Sequence, residues 1–132
     1  MIDIEPILFD EVCEYIAAQY PDMRVENEII MVPEVLPMVA IEEISNTTDR
    51  LTVDSGTNEN YVNVGYEVRV YVSKSVGKRR KARDIMSYID SWFIGKGFDR
   101  MNTSFIAFDD GVNFQTICQY NARTNGTTIY RR

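Results

Sequence analysis

Between Tyr61 and Phe98 the hydrophobic period of the chain changes once, from 2 to 3.6, and that change limits how the rest can be arranged. Val64, Tyr66, Val68, Val70 and Val72 alternate with Asn63, Gly65, Glu67, Arg69 and Tyr71. Such alternation, rich in β-branched side chains, predicts a long strand over residues 61–72 with one face toward a core. After Lys74-Ser75-Val76-Gly77 the pattern is helical. Ala82, Ile85, Met86, Ile89 and Phe93 share one narrow arc, with Trp92 at its edge and Arg80, Asp84, Ser87 and Ser91 opposite. This predicts an amphipathic helix packed on a sheet, stopped by Gly95 and Gly97.

The start of that helix is chemically unusual. Lys78, Arg79, Arg80, Lys81 and Arg83 place five cations at the positive end of the helix dipole, where each costs about 0.3–1 kcal/mol at low salt. Two explanations stand side by side: a solvated turn that keeps the chain soluble, or a surface that meets an anionic partner outside the fold.

The whole-chain charge of −6 conceals a strong asymmetry. Residues 1–60 carry 14 acids and 2 bases, whereas residues 61–132 carry 6 acids and 12 bases. Either the acidic half folds against the basic half, or two faces of opposite sign favour head-to-tail contact between copies, closing into a ring or running on as a filament. At 132 residues the chain is expected to be one domain with a single core, spanning residues 1–132. It has no apolar run of 18 residues and an acidic N-terminus unlike a signal peptide, so a soluble protein with no membrane contact is expected. Cys13 and Cys118 are single and unclustered, which speaks against a disulfide framework and against zinc; Cys13 is expected to be a small buried hydrophobe.

Taken in order, residues 6–19 predict a first helix. Pro6 opens it and Pro21 closes it; Phe9, Val12, Cys13, Ile16 and Tyr20 form its apolar face, and Asp10, Glu11 and Glu14 lie outside. Strands are predicted at 28–32 and 38–45. Residues 46–60 are polar, with Leu51 and Val53 as the apolar exceptions; they form either a long loop or a two-stranded arm with its tip near Asp54, projecting in both cases. Strands at 103–108, 112–123 and 127–130 follow, the last two joined at Asn125-Gly126, a strong hairpin signal. The fold class is α+β: one domain with a mainly antiparallel β-sheet, two helices packed on one face and a projecting polar β-arm or loop.

Catalytic chemistry is hard to assemble from these residues. There is no histidine, which removes the usual general base near neutral pH, the Ser-His-Asp and Cys-His arrangements and most zinc sites. Gly95-Lys96-Gly97 is too short for a phosphate-cradling loop. Asp109-Asp110 reads as a turn, and alternation sends Glu42 and Glu43 to opposite faces. The expectation is no enzyme, with no catalytic, cofactor-binding or metal-binding residues and no cofactor. A dedicated nucleic-acid binder is also unexpected, because the six bases between Lys74 and Arg83 sit in a chain with a pI near 4.6. Any DNA is expected to be touched rather than read.

The order of elements resembles a known family. A helix closing at Tyr20-Pro21, strands around Ile29–Val32 and Met38–Ile44, a polar arm, the strand Val64-Gly65-Tyr66-Glu67-Val68-Arg69-Val70-Tyr71-Val72, the helix to Trp92 and a final β-meander are similar to the tail terminator, or tail completion (head–tail joining), proteins of long-tailed bacteriophages. The likeness is one of pattern and length over nearly the whole chain. It implies a structural virion protein, made in the bacterial cytoplasm, that forms a hexameric ring on the tail tube, halts tube polymerisation and docks to the head connector. Its partners would then be copies of itself, the tube protein and the connector or head completion protein, with DNA as passing cargo and an acidic channel that lets it slide. On this reading the candidate interface residues are Lys78, Arg79, Arg80, Lys81, Arg83, Asp10, Glu11, Glu14, Asp49, Arg50, Leu51 and Asp54. The alternatives are another neck or tail component, such as a head completion or tube-like protein, or a non-viral cytosolic adaptor whose basic patch meets an acidic partner.

Overall fold

The computed structural model describes residues 1–30, 35–49, 61–107 and 113–130. Its elements run α1 (Glu5–Gln19), β1 (Arg24–Glu26), β2 (Met38–Thr48), β3 (Val62–Ser73), α2 (Lys78–Lys96), β4 (Asp99–Ala107), β5 (Asn113–Thr124) and β6 (Ile129–Tyr130). The strands form one sheet in the order β1-β2-β3-β5-β4, with β6 added beside β5. All pairings are antiparallel except the short β1–β2 pair. This is the expected single α+β domain, built on an antiparallel sheet with both helices on one face.

The long strand lies at the centre of the sheet. β3 pairs with β2 on one side and β5 on the other, so both of its faces are in demand. Val62, Val64, Tyr66, Val68, Val70 and Val72 join the main core, to which α1 contributes Leu8, Val12 and Ile16 and α2 contributes Ala82, Ile85, Met86, Ile89, Trp92 and Phe93. One face of this strand was expected toward a core, yet on the other face Gly65, Glu67 and Tyr71 are buried too. Tyr71 packs with Met38 and Ala40 beneath Ile29, Ile30 and Leu36, and its hydroxyl accepts from the Ile30 amide at 3.3 Å. Farther along, that second face is tied by polar side chains. Gln119 Nε2 donates to Glu67 Oε1 at 3.0 Å, Arg69 Nε donates to Glu67 Oε2 at 2.9 Å, and Arg69 Nη1 donates to Gln115 Oε1 at 3.2 Å. Pairing of this kind is what allows a buried carboxylate and amide in a sheet.

Phe93 holds α2 to the sheet. Its ring stacks on Tyr120 at 4.4 Å between centroids and meets Phe98 and Trp92 edge-on, each at 5.1 Å. Beside it the Tyr120 hydroxyl donates to Asp90 Oδ1 at 2.6 Å, and Arg100 Nη1 donates to Asp90 Oδ2 at 2.9 Å. The carboxylate is thereby shared between sheet and helix. Burial, and then this bond, hold Tyr120 far above its ordinary ionisation range, so it remains a donor.

Several boundaries differ from the expected ones. The buried stripe of α1 runs Ile4, Leu8, Val12, Ile16, with Phe9, Cys13 and Tyr20 half-buried on its margin. Among the described residues the first strand is Arg24–Glu26; Glu28, Ile29 and Ile30 of the expected 28–32 strand are irregular, and its residues 31–32 lie outside the described residues. Ile29 and Ile30 serve as a cover over Tyr71, so apolarity there signals packing rather than strand pairing. β2 extends past Ser45 to Thr48, with a register shift between Glu43 and Ser45. The 46–60 arm therefore begins as ordinary sheet, while residues 50–60 lie outside the described residues, as do Phe108 and the expected Asp109-Asp110-Gly111 turn. The loop at Asn125-Gly126 spans four residues, Asn125 to Thr128. Asn125 Oδ1 accepts from the amides of Thr127 and Thr128 at 3.0 and 2.8 Å.

Gly95 does not stop α2; it lies within the last turn with open space where a Cβ would stand. Gly97 stops it, at φ 105°, with the Phe98 amide donating back to the Phe93 carbonyl at 3.0 Å. A Cβ on Gly97 would also stand 3.0 Å from the Ile129 carbonyl oxygen. The two glycines should therefore respond oppositely to alanine. In urea unfolding, Gly95→Ala should stabilise by about 0.5–1 kcal/mol, and Gly97→Ala should destabilise by at least about 1–2 kcal/mol.

Candidate functional site: a domain with charged ends

α1 and α2 run antiparallel. Tyr20, at the C-terminal end of α1, lines a groove with Gly77, Arg80, Lys81 and Asp84 at the start of α2. Midway, Tyr15 and Tyr88 stack at 4.3 Å and the Tyr88 hydroxyl donates to the Tyr15 carbonyl at 2.7 Å. At the other end Glu11 Oε2 lies 3.6 Å from Lys96 Nζ. The basic and acidic clusters of the sequence therefore occupy opposite ends of one helix pair. The 19 residues of α2 span about 28 Å, more than three screening lengths at physiological salt (about 8 Å). The two clusters cannot neutralise each other within one molecule.

At the basic end, the turn after β3 leads into α2 through Gly77, at φ 84°, with no side-chain cap and no acid in the first turn. The cations lie in two groups. Arg79 and Arg83 lay their guanidinium groups over the Phe105 ring at 4.6 and 5.3 Å, and Lys78 lies 5.9 Å over Phe114. Phe105 and Phe114 are themselves stacked at 6.2 Å. Aromatic faces at the β4–β5 end thus take the place of counter-anions. Arg80 and Lys81 point into the groove shared with Tyr20. Among the described residues, none of the five bases makes an ion pair. Asp84 on α2 and Asp22 just beyond Tyr20 leave this end net positive.

The acidic end gathers around the first turns of α1. Asp3 Oδ1 accepts from the Glu5 amide at 3.2 Å, and Asn46 Nδ2 donates to the Ile2 carbonyl at 2.9 Å, bringing the end of β2 alongside. Burial raises the pKa of Glu5, and the neighbouring charges of Asp3, Glu43 and Asp10 raise it further. Helix N-termini favour carboxylates, so a shift in this direction means that burial first, and then the like charges around it, outweigh the dipole. Glu43 is held by the Tyr66 hydroxyl, which donates to its Oε2.

Of the acids singled out in the sequence, Asp10 and Glu11 are exposed at the acidic end and Glu14 is exposed about halfway along α1. Asp49 is 9% exposed, and its Oδ2 accepts from Arg123 Nη1 at 3.4 Å. Its charge therefore serves the sheet end. Arg50, Leu51 and Asp54 lie outside the described residues. Among the described ion pairs, Lys96–Glu11 and Arg123–Asp49 are the two that join the acidic and basic halves of the chain.

Two features at these ends carry no strong sequence signal. Val76, at the turn before α2, is fully exposed. A groove of about 320 Å³ at the acidic end is lined by both apolar and polar residues, Ile4, Ile7, Leu8 and Trp92 together with Glu11, Lys96 and the threonines of the Asn125–Thr128 loop and its start. Single apolar residues look alike in sequence whether buried or not, and a groove between elements has no local pattern.

Reactive chemistry is sparse. Burial raises the thiol pKa of both Cys13 and Cys118, which disfavours a nucleophilic thiolate. Ser75-Val76-Gly77-Lys78 has the spacing of a Ser-x-x-Lys pair, but Ser75 precedes the helix and the Lys78 ammonium lies over Phe114. Among the described residues, no three Cys, Asp or Glu side chains group to hold a metal, and no helix is long and apolar enough to cross a membrane. No protein-family model matches the chain, and no curated protein does.

Two measurements probe the charged ends. Arg79→Ala loses an aromatic contact that Arg80→Ala does not, so the Arg80 variant should be the more stable of the two by about 0.5–1 kcal/mol. At pH 7, Glu5→Gln should melt above wild type. A folded-state pKa above the unfolded one means stability is lost as pH rises through the carboxylate range, so the two melting temperatures should converge below about pH 4.

Proposed function

We propose that this protein is a structural joint that works by touching copies of itself: a tail terminator that caps the tail tube of a long-tailed bacteriophage as a ring and presents the docking surface for the head connector. The observation that carries the reading is the separation of charge along α2, with five bases at one end and Asp3, Glu5, Asp10, Glu11 and Glu43 around the other. Ends of opposite sign on one copy are complementary between copies, and a heterologous contact of that kind closes into a ring when its rotation divides a full turn. The α+β element order, with its long central strand leading directly into the helix, is the part of the chain that most resembles the terminator family. The proposed partners are five further copies of this chain in a hexameric ring, the tube protein and the connector or head completion protein, placing it at the head–tail interface of the virion. DNA passes through the ring without being read.

The functional test is electron microscopy of tails assembled without the protein. Tubes of uncontrolled length support the reading, and tubes of normal, uniform length reject it. Replacing Arg79, Arg80 and Arg83 together by Glu tests the electrostatic part. Ring formation at low salt should be lost, whereas unchanged assembly would make the basic cluster a solvated turn only.

A further inference from the structure

Between α2 and the edge strand β4 lies a cleft of about 340 Å³, with β5 beneath it. A cleft of that size suits a small molecule. Arg83 and Ser87, one helical turn apart, stand on its α2 side, and Arg100 and Thr103 stand on its β4 side; all four are exposed. Thr116 and Cys118 of β5 line it from below and are buried.

Thr116 is the residue that packing does not explain. It is 1% exposed, and among the described residues its Oγ1 has no hydrogen-bond partner. Cys118, two positions along the same strand, is matched: its sulfur lies 3.4 Å from Thr103 Oγ1. Valine has the shape of threonine without a hydroxyl to satisfy, so an orphaned hydroxyl under a cleft is a cost that a bound acceptor would remove.

The charges around the cleft specify the sign of that acceptor. Arg83 and Arg100 face a single acid, Asp90. Both oxygens of Asp90 are engaged, Oδ1 by the Tyr120 hydroxyl at 2.6 Å and Oδ2 by Arg100 Nη1 at 2.9 Å. The Arg100 guanidinium has four further N–H donors, and among the described residues Arg83 makes no ion pair. Arg83 also borders the hollow that Lys78, Arg79 and Arg80 line. Cations of one sign beside a cleft raise the local concentration of anions. Donors come from the helix, from the strand and from below, which matches a tetrahedral oxyanion better than a planar carboxylate.

We infer that the cleft binds a phosphate group, free or on a small phosphomonoester, between Arg83 and Arg100 with the Thr116 hydroxyl donating to it. The site stands apart from the ring reading and shares with it only the basic cluster, which here guides the anion inward.

Calorimetric titration of the full-length chain tests it, with inorganic phosphate and with glycerol phosphate as separate probes. The titrations run near pH 7.5, where the group carries close to two negative charges, and in about 0.1 M salt to screen the exposed cluster. Saturable binding of one equivalent is expected; a preference for either probe tells the free ion from the ester. Arg83→Gln should weaken binding about tenfold or more, and Thr116→Val about two- to tenfold. Without phosphate, Thr116→Val should melt above wild type, because its orphaned hydroxyl is gone, and this establishes that the variant folds. Arg80→Gln removes the same charge as Arg83→Gln but lies outside the cleft, so its affinity should stay within about twofold of wild type. No saturable binding of either probe, unchanged affinity in Thr116→Val, or equal losses in Arg80→Gln and Arg83→Gln would overturn the inference.

Discussion

The contact on which the rest of this structure depends is the seating of α2 across β3 and β5 by Phe93. The ring is fully buried, stacked on Tyr120 and closed in by Trp92 and Phe98; losing such a side chain typically costs about 3–5 kcal/mol. The neighbouring Asp90 carboxylate, accepting from Tyr120 on β5 and Arg100 on β4, holds the helix against sliding along the sheet. With α2 fixed in position and direction, its N-terminal cations and its C-terminal turn become the two ends of the molecule. The charge separation is therefore a consequence of core packing.

That packing also explains why the basic cluster is tolerated. Five cations at a helix N-terminus oppose the dipole, and no carboxylate in the first turn relieves them. Phe105 and Phe114 offset part of the cost by offering their ring faces to Arg79, Arg83 and Lys78. Among the described residues, Arg80 and Lys81 receive no such support. Among the described residues, charge without an ion-pair partner at one end is a local cost that a complementary neighbour would relieve, and so is the part of the raised Glu5 pKa at the other end that like charges add to burial.

Most of the architecture was legible because it was periodic. The six apolar positions of α2, from Ala82 to Phe93, are the buried ones, and the alternation of β3 set its helix-facing side correctly. What was not legible depended on neighbours far along the chain. The alternation predicted one buried face, and the burial of Gly65, Glu67 and Tyr71 on the second face of β3 comes from Met38, Gln115, Gln119 and the 29–30 segment. Ile29 and Ile30 read as a strand because their packing against Tyr71 is invisible locally. Gly95 and Gly97 are two identical residues two positions apart, and the backbone alone reveals which of them carries the left-handed turn. The clusters of the candidate site were plain in the sequence, but their placement at opposite ends required the antiparallel helix pair.

The central claim, that charge separated along α2 makes copies attract, is tested most directly by the osmotic second virial coefficient of the purified protein as a function of salt. A molecule of net charge −6 with evenly spread charge repels its neighbours at low salt, and added salt weakens that repulsion. Charged ends of opposite sign predict the reverse: net attraction at about 20 mM salt that fades as the screening length contracts toward about 3 Å near 1 M. Repulsion at low salt that simply relaxes with added salt would contradict the account.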